Sequence, residues 1–286
     1  MGISKPIVSE IAYRTYAINE FGMATCFLLI GSERGLLIDT GCGMYNIRLI
    51  ADELAGGLPY DVALTHGHGD HVASMDRWEA VWLHPADWDM IALDKLEQNK
   101  AMLARYPAMM AAFGSFDAYD IRPDQARYPD TLPRLLPLEE GHIFDLGGGR
   151  RVEVIHAPGH TPGEVVLIDD ATRILFSGDA CNPNLGIQSS SVTTALRGLL
   201  KVKAQAHRFD RNFNGHIGYG GSTVNVSKPE TNLDDDIHIL QSILDGTADV
   251  QYGETPVGRS AFVVYNGVRI SFNPDRLRDE GETPAE

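Results

Sequence analysis

Cysteine is scarce in this chain: there are three, Cys26, Cys42 and Cys181, an odd number without CxxC spacing. Such a set builds no disulfide framework and points to reduced, buried thiols in a cytoplasmic protein. Basic residues are also short, 24 Lys and Arg against 39 Asp and Glu, for a formal charge of −15. That balance repels phosphate backbones and anionic lipid, so neither nucleic acid nor a membrane is expected as a partner, while a small-molecule substrate stays open. No apolar run approaches the roughly 20 residues that span a bilayer. Met1-Gly2-Ile3-Ser4-Lys5-Pro6 has no basic stretch leading into an apolar one, so no secretory leader is expected. What remains is an ordinary globular composition, 43 % hydrophobic and 22 % charged.

The apolar patterning predicts strands first. Ile11 to Tyr16 alternates in character, and Cys26–Ile30, the turn Gly31–Gly35 and Leu36–Asp39 form a hairpin pattern. A helix is expected over Tyr45–Leu54, stopped by Gly56-Gly57-Leu58-Pro59, with a short strand at Asp61–Thr65. A helical insert is expected around 86–116, interrupted at Pro107. The proline-rich stretch Asp117–Pro137 reads as loop. Strands return at Arg151–His156, Val165–Ile168 and Arg173–Phe176, followed by a helix from Ser191 to Phe209 and another beginning near Asp234-Asp235-Asp236. Ala261–Tyr265, Asn266-Gly267 and Val268–Phe272 spell a second hairpin. A weak repeat is visible: apolar strand, polar turn, apolar strand, then Asp, once ending Ile38-Asp39-Thr40-Gly41 and once ending Phe176-Ser177-Gly178-Asp179. Two related halves sharing one core, within a single domain over 1–286, are the expected organisation.

The densest chemical signal is Thr65-His66-Gly67-His68-Gly69-Asp70-His71, directly after a short strand. Three imidazoles and a carboxylate in six residues can converge on metal ions, and the two glycines let the backbone turn tightly enough to aim them. Nitrogen and oxygen donors of this kind suit zinc, with iron or manganese open. A solvated His-rich loop is the plainer alternative. Against it stand three more donors beside glycines at expected strand ends: His160 in Pro158-Gly159-His160-Thr161-Pro162-Gly163, Asp179 in Ser177-Gly178-Asp179, and His216 in Asn214-Gly215-His216. Each is weak alone, but seven donors suit two metals with a shared carboxylate.

With these residues the chain resembles the metallo-β-lactamase superfamily from about residue 20 to residue 220, and in motif it is closest to glyoxalase II and lactonase-like members. The resemblance implies an α/β fold, a four-layer αβ/βα sandwich of two similar halves. It implies that His66, His68 and His160 hold one divalent metal, that Asp70, His71 and His216 hold a second, and that Asp179 bridges them. Asp39 corresponds to the carboxylate that orients ligands from behind. Two close cations would stabilise a bridging hydroxide that attacks an electrophilic carbonyl or phosphoryl centre, with Asp70 as a proton relay. Ser189-Ser190-Ser191 reads as a helix cap rather than a nucleophile.

Within that family, Asp179 and the missing leader argue against a β-lactamase. His68 stands where flavodiiron proteins carry glutamate, and the acidic charge disfavours RNA-processing members. The expected activity is hydrolysis of a small ester, thioester, lactone or amide. A mono-iron persulfide dioxygenase is the main alternative, with phosphodiesterase and β-lactamase behind it. Asn182 and Tyr219 lie next to candidate ligands in sequence and are expected to touch substrate. Trp88, Met90, Met102, Tyr106, Met109, Met110 and Phe113 either line the pocket or pack the insert, and packing is preferred. His84, His142, His156, His207 and His238 have no ligand context and are read as structural. A homo-oligomer stays open. A dimetal site carrying Asp70, Asp179 and a hydroxide would have a local charge of about +1, so a small anionic substrate remains compatible with an acidic protein.

Overall fold

The computed structural model describes residues 2–92, 95, 118–120, 127–187, 189–217, 223–228, 232–255 and 258–282. Seven strands form the first sheet in sequence order: β1 (Ile7–Ala12), β2 (Thr15–Glu20), β3 (Ala24–Ile30), β4 (Gly35–Ile38), β5 (Tyr60–Ala63), β6 (Ala80–Leu83) and β7 (Arg134–Pro137). The second sheet takes β8 (Ile143–Asp145), β9 (Arg151–His156), β10 (Val165–Asp169), β11 (Ile174–Phe176) and β13 (Arg211–Phe213), in the order β13-β11-β10-β9-β8. A third, four-stranded sheet runs β12-β16-β15-β14, with β12 at Asn184–Ile187, β14 at Gln251–Thr255, β15 at Gly258–Tyr265 and β16 at Val268–Phe272. Four α-helices are described: α1 (Ile47–Ala55), α2 (Gly69–Val72), α3 (Val192–Ala204) and α4 (Asn232–Leu244).

The layering follows from the period-2 geometry of wholly apolar strands. On β3, Phe27 and Leu29 face one way and Cys26, Leu28 and Ile30 the other; on β10, Val165 and Leu167 oppose Val166 and Ile168. The inward sets meet between the two large sheets, where the Phe27 ring lies 4.9 Å from Phe176 and 6.1 Å from Phe213. The outward set of the first sheet is covered by Ile47 and Ala51 of α1. That of the second packs against Leu196 and Leu199 of α3 and Ile239, Leu240 and Ile243 of α4, with the third sheet completing the layer. Two sheets face to face with helices outside give the αβ/βα sandwich.

The repeat is real in three dimensions. In each half an antiparallel hairpin, β3–β4 or β10–β11, is followed by a parallel neighbour, β5 or β13. Both hairpins therefore release their chain at the same edge of the sandwich, immediately before Asp39 and just upstream of Asp179.

Several boundaries differ from the sequence reading. A turn falls inside the expected strand Ile11–Tyr16: Ala12 pairs with Thr15, Arg14 adopts φ +49°, and Tyr13 is 81 % exposed. The expected loop 117–137 ends in a strand, because Leu135 and Leu136 find a parallel partner in Val81 and Trp82 of β6. α3 stops at Ala204 and the chain continues as a 3-10 turn, Ala206–Arg208. Ser191 caps α3 as expected, its Oγ accepting from Thr194 N at 2.9 Å. Pro85–Ile91, at the start of the expected insert, is a 3-10 turn rather than an α-helix. Met102, Tyr106, Pro107, Met109, Met110 and Phe113 lie outside the described residues. Trp88 leans on the core and donates Nε1–H to Leu83 O at 2.9 Å.

Candidate active site

Five strand ends deliver the candidate residues to one edge. β4 runs into Asp39, β5 into Thr65–His71, β9 into His160, β11 into Asp179 and β13 into His216. In open α/β sheets the carboxyl ends of strands are where ligands gather, and here two such edges are stacked. All seven candidate ligands come together. His66, His68 and His160 form one convergent group, Asp70, His71 and His216 a second, and Asp179 joins His66 and His71 in a third; within each group the donor atoms lie within 4.8 Å of one another.

In the first group, His68 Nδ1 lies 3.1 Å from His66 Nε2 and 2.8 Å from His160 Nε2. Nitrogens bound tetrahedrally at about 2.0–2.1 Å from one cation would sit about 3.3 Å apart, so this spacing fits a shared ion. The outer nitrogens are held in turn: His160 Nδ1–H donates to Gly186 O at 2.7 Å, and His66 Nδ1 faces Thr65 Oγ1 at 3.1 Å and Glu164 Oε2 at 3.4 Å. In the second group His216 Nδ1–H donates to Met23 O at 2.7 Å and His71 Nδ1–H to Asp39 Oδ2 at 2.8 Å. These bonds fix the tautomers so that both Nε2 atoms turn inward. Among the described residues His71 Nε2 is buried with no hydrogen-bond partner, with Asp179 Oδ1 at 3.8 Å and Asp70 Oδ2 at 3.9 Å. A buried polar atom left open in this way costs stability unless something binds it. The donor set and this open nitrogen fit a divalent cation.

Asp179 is placed between the groups, its Oδ2 3.5 Å from His160 Nε2 and 3.2 Å from His216 Nε2. The electrostatics divide the edge in two. Burial, reinforced by neighbouring imidazoles, holds His66 well below the usual histidine range and brings His68 down to about 3. Burial opposes charge on His71 too, but Asp39, Asp70 and Asp179 overcome it and raise it to about 10. Burial likewise works against ionised Asp179, yet His216, His71 and His160 hold it well below the ordinary carboxylate value.

Asp39 sits at φ +63°, a conformation uncommon for a side chain other than glycine. Its carboxylate repays this locally, taking Thr65 N at 2.7 Å and Thr65 Oγ1 at 2.9 Å besides His71. Three further buried acids escaped the sequence reading. Asp87 accepts from Gly67 N at 3.0 Å, Thr161 Oγ1 at 2.7 Å and Gly163 N at 2.7 Å, tying the His66–His68 loop to the His160 loop. Glu164 accepts from Asp179 N at 2.9 Å while reaching His66. Glu20 accepts from Cys42 N and Tyr45 N, both at 2.6 Å, holding the turn after Asp39. Only Glu164 had a local signal, as an acid directly before the apolar run Val165–Ile168. Asn182 lines a cavity next to Asp179 and His216. Tyr219 lies outside the described residues. His84 and His156 stack on each other at 4.0 Å, and neither belongs to a convergent donor group among the described residues.

The fold and these loops define a family. A family model described as the metallo-beta-lactamase superfamily matches residues 19–212, and the chain belongs to that superfamily. Among individual proteins, it is 32 % identical to an acyl-coenzyme A thioesterase, MBLAC2, of Gallus gallus over 61 % of this chain and 64 % of the relative. It is 29 % identical to hydroxyacylglutathione hydrolase GloC of Haemophilus influenzae over 54 % of this chain and 65 % of the relative. The matches thus span under two thirds of each relative's length. Among solved structures, a stereoselective inverting sec-alkylsulfatase from Pseudomonas sp. superposes with a TM-score of 0.62 at 14 % identity, over 84 % of this chain and 42 % of that one, a likeness of fold. Among the described residues no helix is long and apolar enough to cross a membrane.

Proposed function

We propose that this protein is a hydrolase that works with two divalent cations, zinc first and iron or manganese next, and cleaves a small thioester or related acyl compound. The observation that carries the reading is the convergence of seven donors with His71 Nε2 buried and open. The similarity to two thioester hydrolases supports the narrowing to thioesters. On this reading His66, His68 and His160 hold one cation, Asp70, His71 and His216 the other, and Asp179 both. When bound, such cations supply Lewis acidity, making water nucleophilic near neutral pH and drawing charge from the substrate oxygen. The chain's own residues do the rest. Asp39 keeps the His71 ring in one tautomer, and Met23 O and Gly186 O do the same for His216 and His160. Asp70, with Oδ2 3.5 Å from His216 Nε2, takes the proton of the attacking water and returns it to the departing thiolate. Water and thioester become carboxylic acid and thiol. Asn182, beside Asp179 on the cavity wall, contacts the substrate.

The test is metal content of the purified protein together with thiol release from a thioester panel, run beside lactones, phosphodiesters and β-lactams. The expected outcome is two divalent ions per chain and fastest turnover of a thioester, abolished in His68→Ala. A single iron with oxygen uptake on a persulfide, or full activity in His68→Ala, overturns the assignment.

A further inference from the structure

Beside Asp179 and His216 opens a cavity of about 510 Å³ whose wall carries Lys228 and Arg269 together with Asn182 and Asn184. Both cations lie beyond residue 212, where the family match ends. In a chain of net charge −15, two cationic side chains on one cavity wall are a local reversal of sign. Among the described residues neither is paired with a carboxylate. Burial pulls Lys228 below the usual lysine range, as expected for a half-buried ammonium without a counter-ion.

Both residues are anchored to the frame of the site. Arg269 N donates to Pro183 O at 2.7 Å, four residues after Asp179, and Lys228 N donates to Asn212 O at 2.7 Å on the strand that leads to His216. Arg269 is the Cα partner of Asn184 in the parallel β12–β16 pair. Its guanidinium lies 4.3 Å over the Phe262 ring, and Nη1 reaches Asn184 Oδ1 at 3.4 Å. Stacking on one face and a single neutral acceptor leave most of the guanidinium donors for a ligand.

We propose that this cavity is an anion subsite: Lys228 and Arg269 bind a phosphate or carboxylate on the unreacting part of the substrate and so set the register of the scissile bond against Asp179 and His216. This rests on the hydrolase reading above for its turnover consequences, but the binding of the anion stands separately. The subsite is built by β16 of the third sheet and the segment at 223–228, on the cavity that Asn182 and Asn184 also line.

Two matched pairs test it with the metal-loaded protein. One pair is S-acetylpantetheine and S-acetyl-4′-phosphopantetheine, which differ by a phosphate. The other is the S-glutaryl and S-(methyl glutaryl) thioesters of N-acetylcysteamine, which differ by a carboxylate. At least one anionic member is turned over with kcat/KM about tenfold or more above its neutral mate, the size expected of a charged hydrogen-bonded contact. In the K228M/R269M double variant that ratio falls towards one, while R269K, which keeps the charge, retains most of it. Calorimetric binding of 4′-phosphopantothenate weakens by a similar factor in the double variant. If no thioester is hydrolysed but this charge-dependent binding persists, the hydrolase reading falls and the subsite stands. If the ratios are near one and binding is indifferent to both cations, the subsite is overturned.

Discussion

The two corners of the candidate centre are built from different chemistry. The His66/His68/His160 corner is three imidazoles, two of which burial keeps neutral. The Asp70/His71/His216 corner is an array of charges in which buried carboxylates push His71 up to about 10 against the effect of burial. Each corner also has its own buried acid behind it. Asp87 ties the loops of the first corner through backbone and hydroxyl donors, whereas Asp39 bonds directly to an imidazole of the second. Neutral imidazoles offer lone pairs to a cation without releasing protons, whereas a raised imidazole such as His71 gives one up on binding. Asp179, within 3.5 Å of an imidazole from each corner, is where the two meet.

The sharpest way to break that division is at the point of contact. Asp179→Ala is expected to lower bound metal at both corners and to bring thioester hydrolysis to background, whereas His160→Ala empties the first corner alone. Metal counting on the two purified variants checks this: equal losses in both would mean that Asp179 belongs to one corner only.

The supporting acids give the next largest effect. Asp39→Asn is expected to weaken metal binding at the second corner about 10- to 100-fold, the usual cost of losing an orienting partner, and to leave the first corner filled. Asp87→Asn is expected to do the reverse, because an amide nitrogen must then face one of the donors Gly67 N, Thr161 Oγ1 or Gly163 N. Titrating each variant with zinc and cobalt, whose absorption reports its coordination, would show two distinct defects. A common defect in both would erase the distinction between the corners.

How legible each acid was in the sequence follows from the same contrast. Asp39 was marked because it stands in a turn after a strand, recurs in the internal repeat and matches the orienting carboxylate implied by the superfamily resemblance. Asp87 had no such mark: its partners are 20, 74 and 76 residues away, so its role exists only in the folded chain. The ligand loop was readable because four donors are packed into six residues; the apolar run Cys26–Ile30 marked a strand covered on both faces, and the four layers followed from the superfamily resemblance. β7 was missed for the opposite reason, since Arg134–Pro137 is a strand by virtue of pairing with β6 rather than by any pattern of its own. The turn at Tyr13-Arg14 was hidden because Ile11–Tyr16 keeps an alternating character across it. The cationic wall was invisible for want of proximity, Lys228 and Arg269 being brought to Asp179 by hydrogen bonds to Asn212 and Pro183.

A pH-dependent effect concerns the support behind Asp39. Glu20 is fully buried, and burial raises its carboxyl to about 7 despite the backbone donors Tyr45 N and Cys42 N that favour its ionised form. The ordinary value of 4.5 applies in the unfolded chain, so between about pH 4.5 and 7 the folded state holds a proton that the unfolded state has released. Stability from this group is therefore complete below the lower value and is lost as pH rises through the upper one, by about 3 kcal/mol in all. Thermal unfolding of the metal-loaded protein from pH 5 to 8 is expected to show this slope, and Glu20→Gln to remove it whatever its effect on absolute stability. Because Glu20 grips the turn behind the second corner, the loss should be felt there first. At pH 8 the wild type would release metal from the Asp70/His71/His216 corner at a lower temperature than from the three-histidine corner. Simultaneous release, with the same pH slope in Glu20→Gln, would show that the two corners melt as one unit and that Glu20 does not distinguish them.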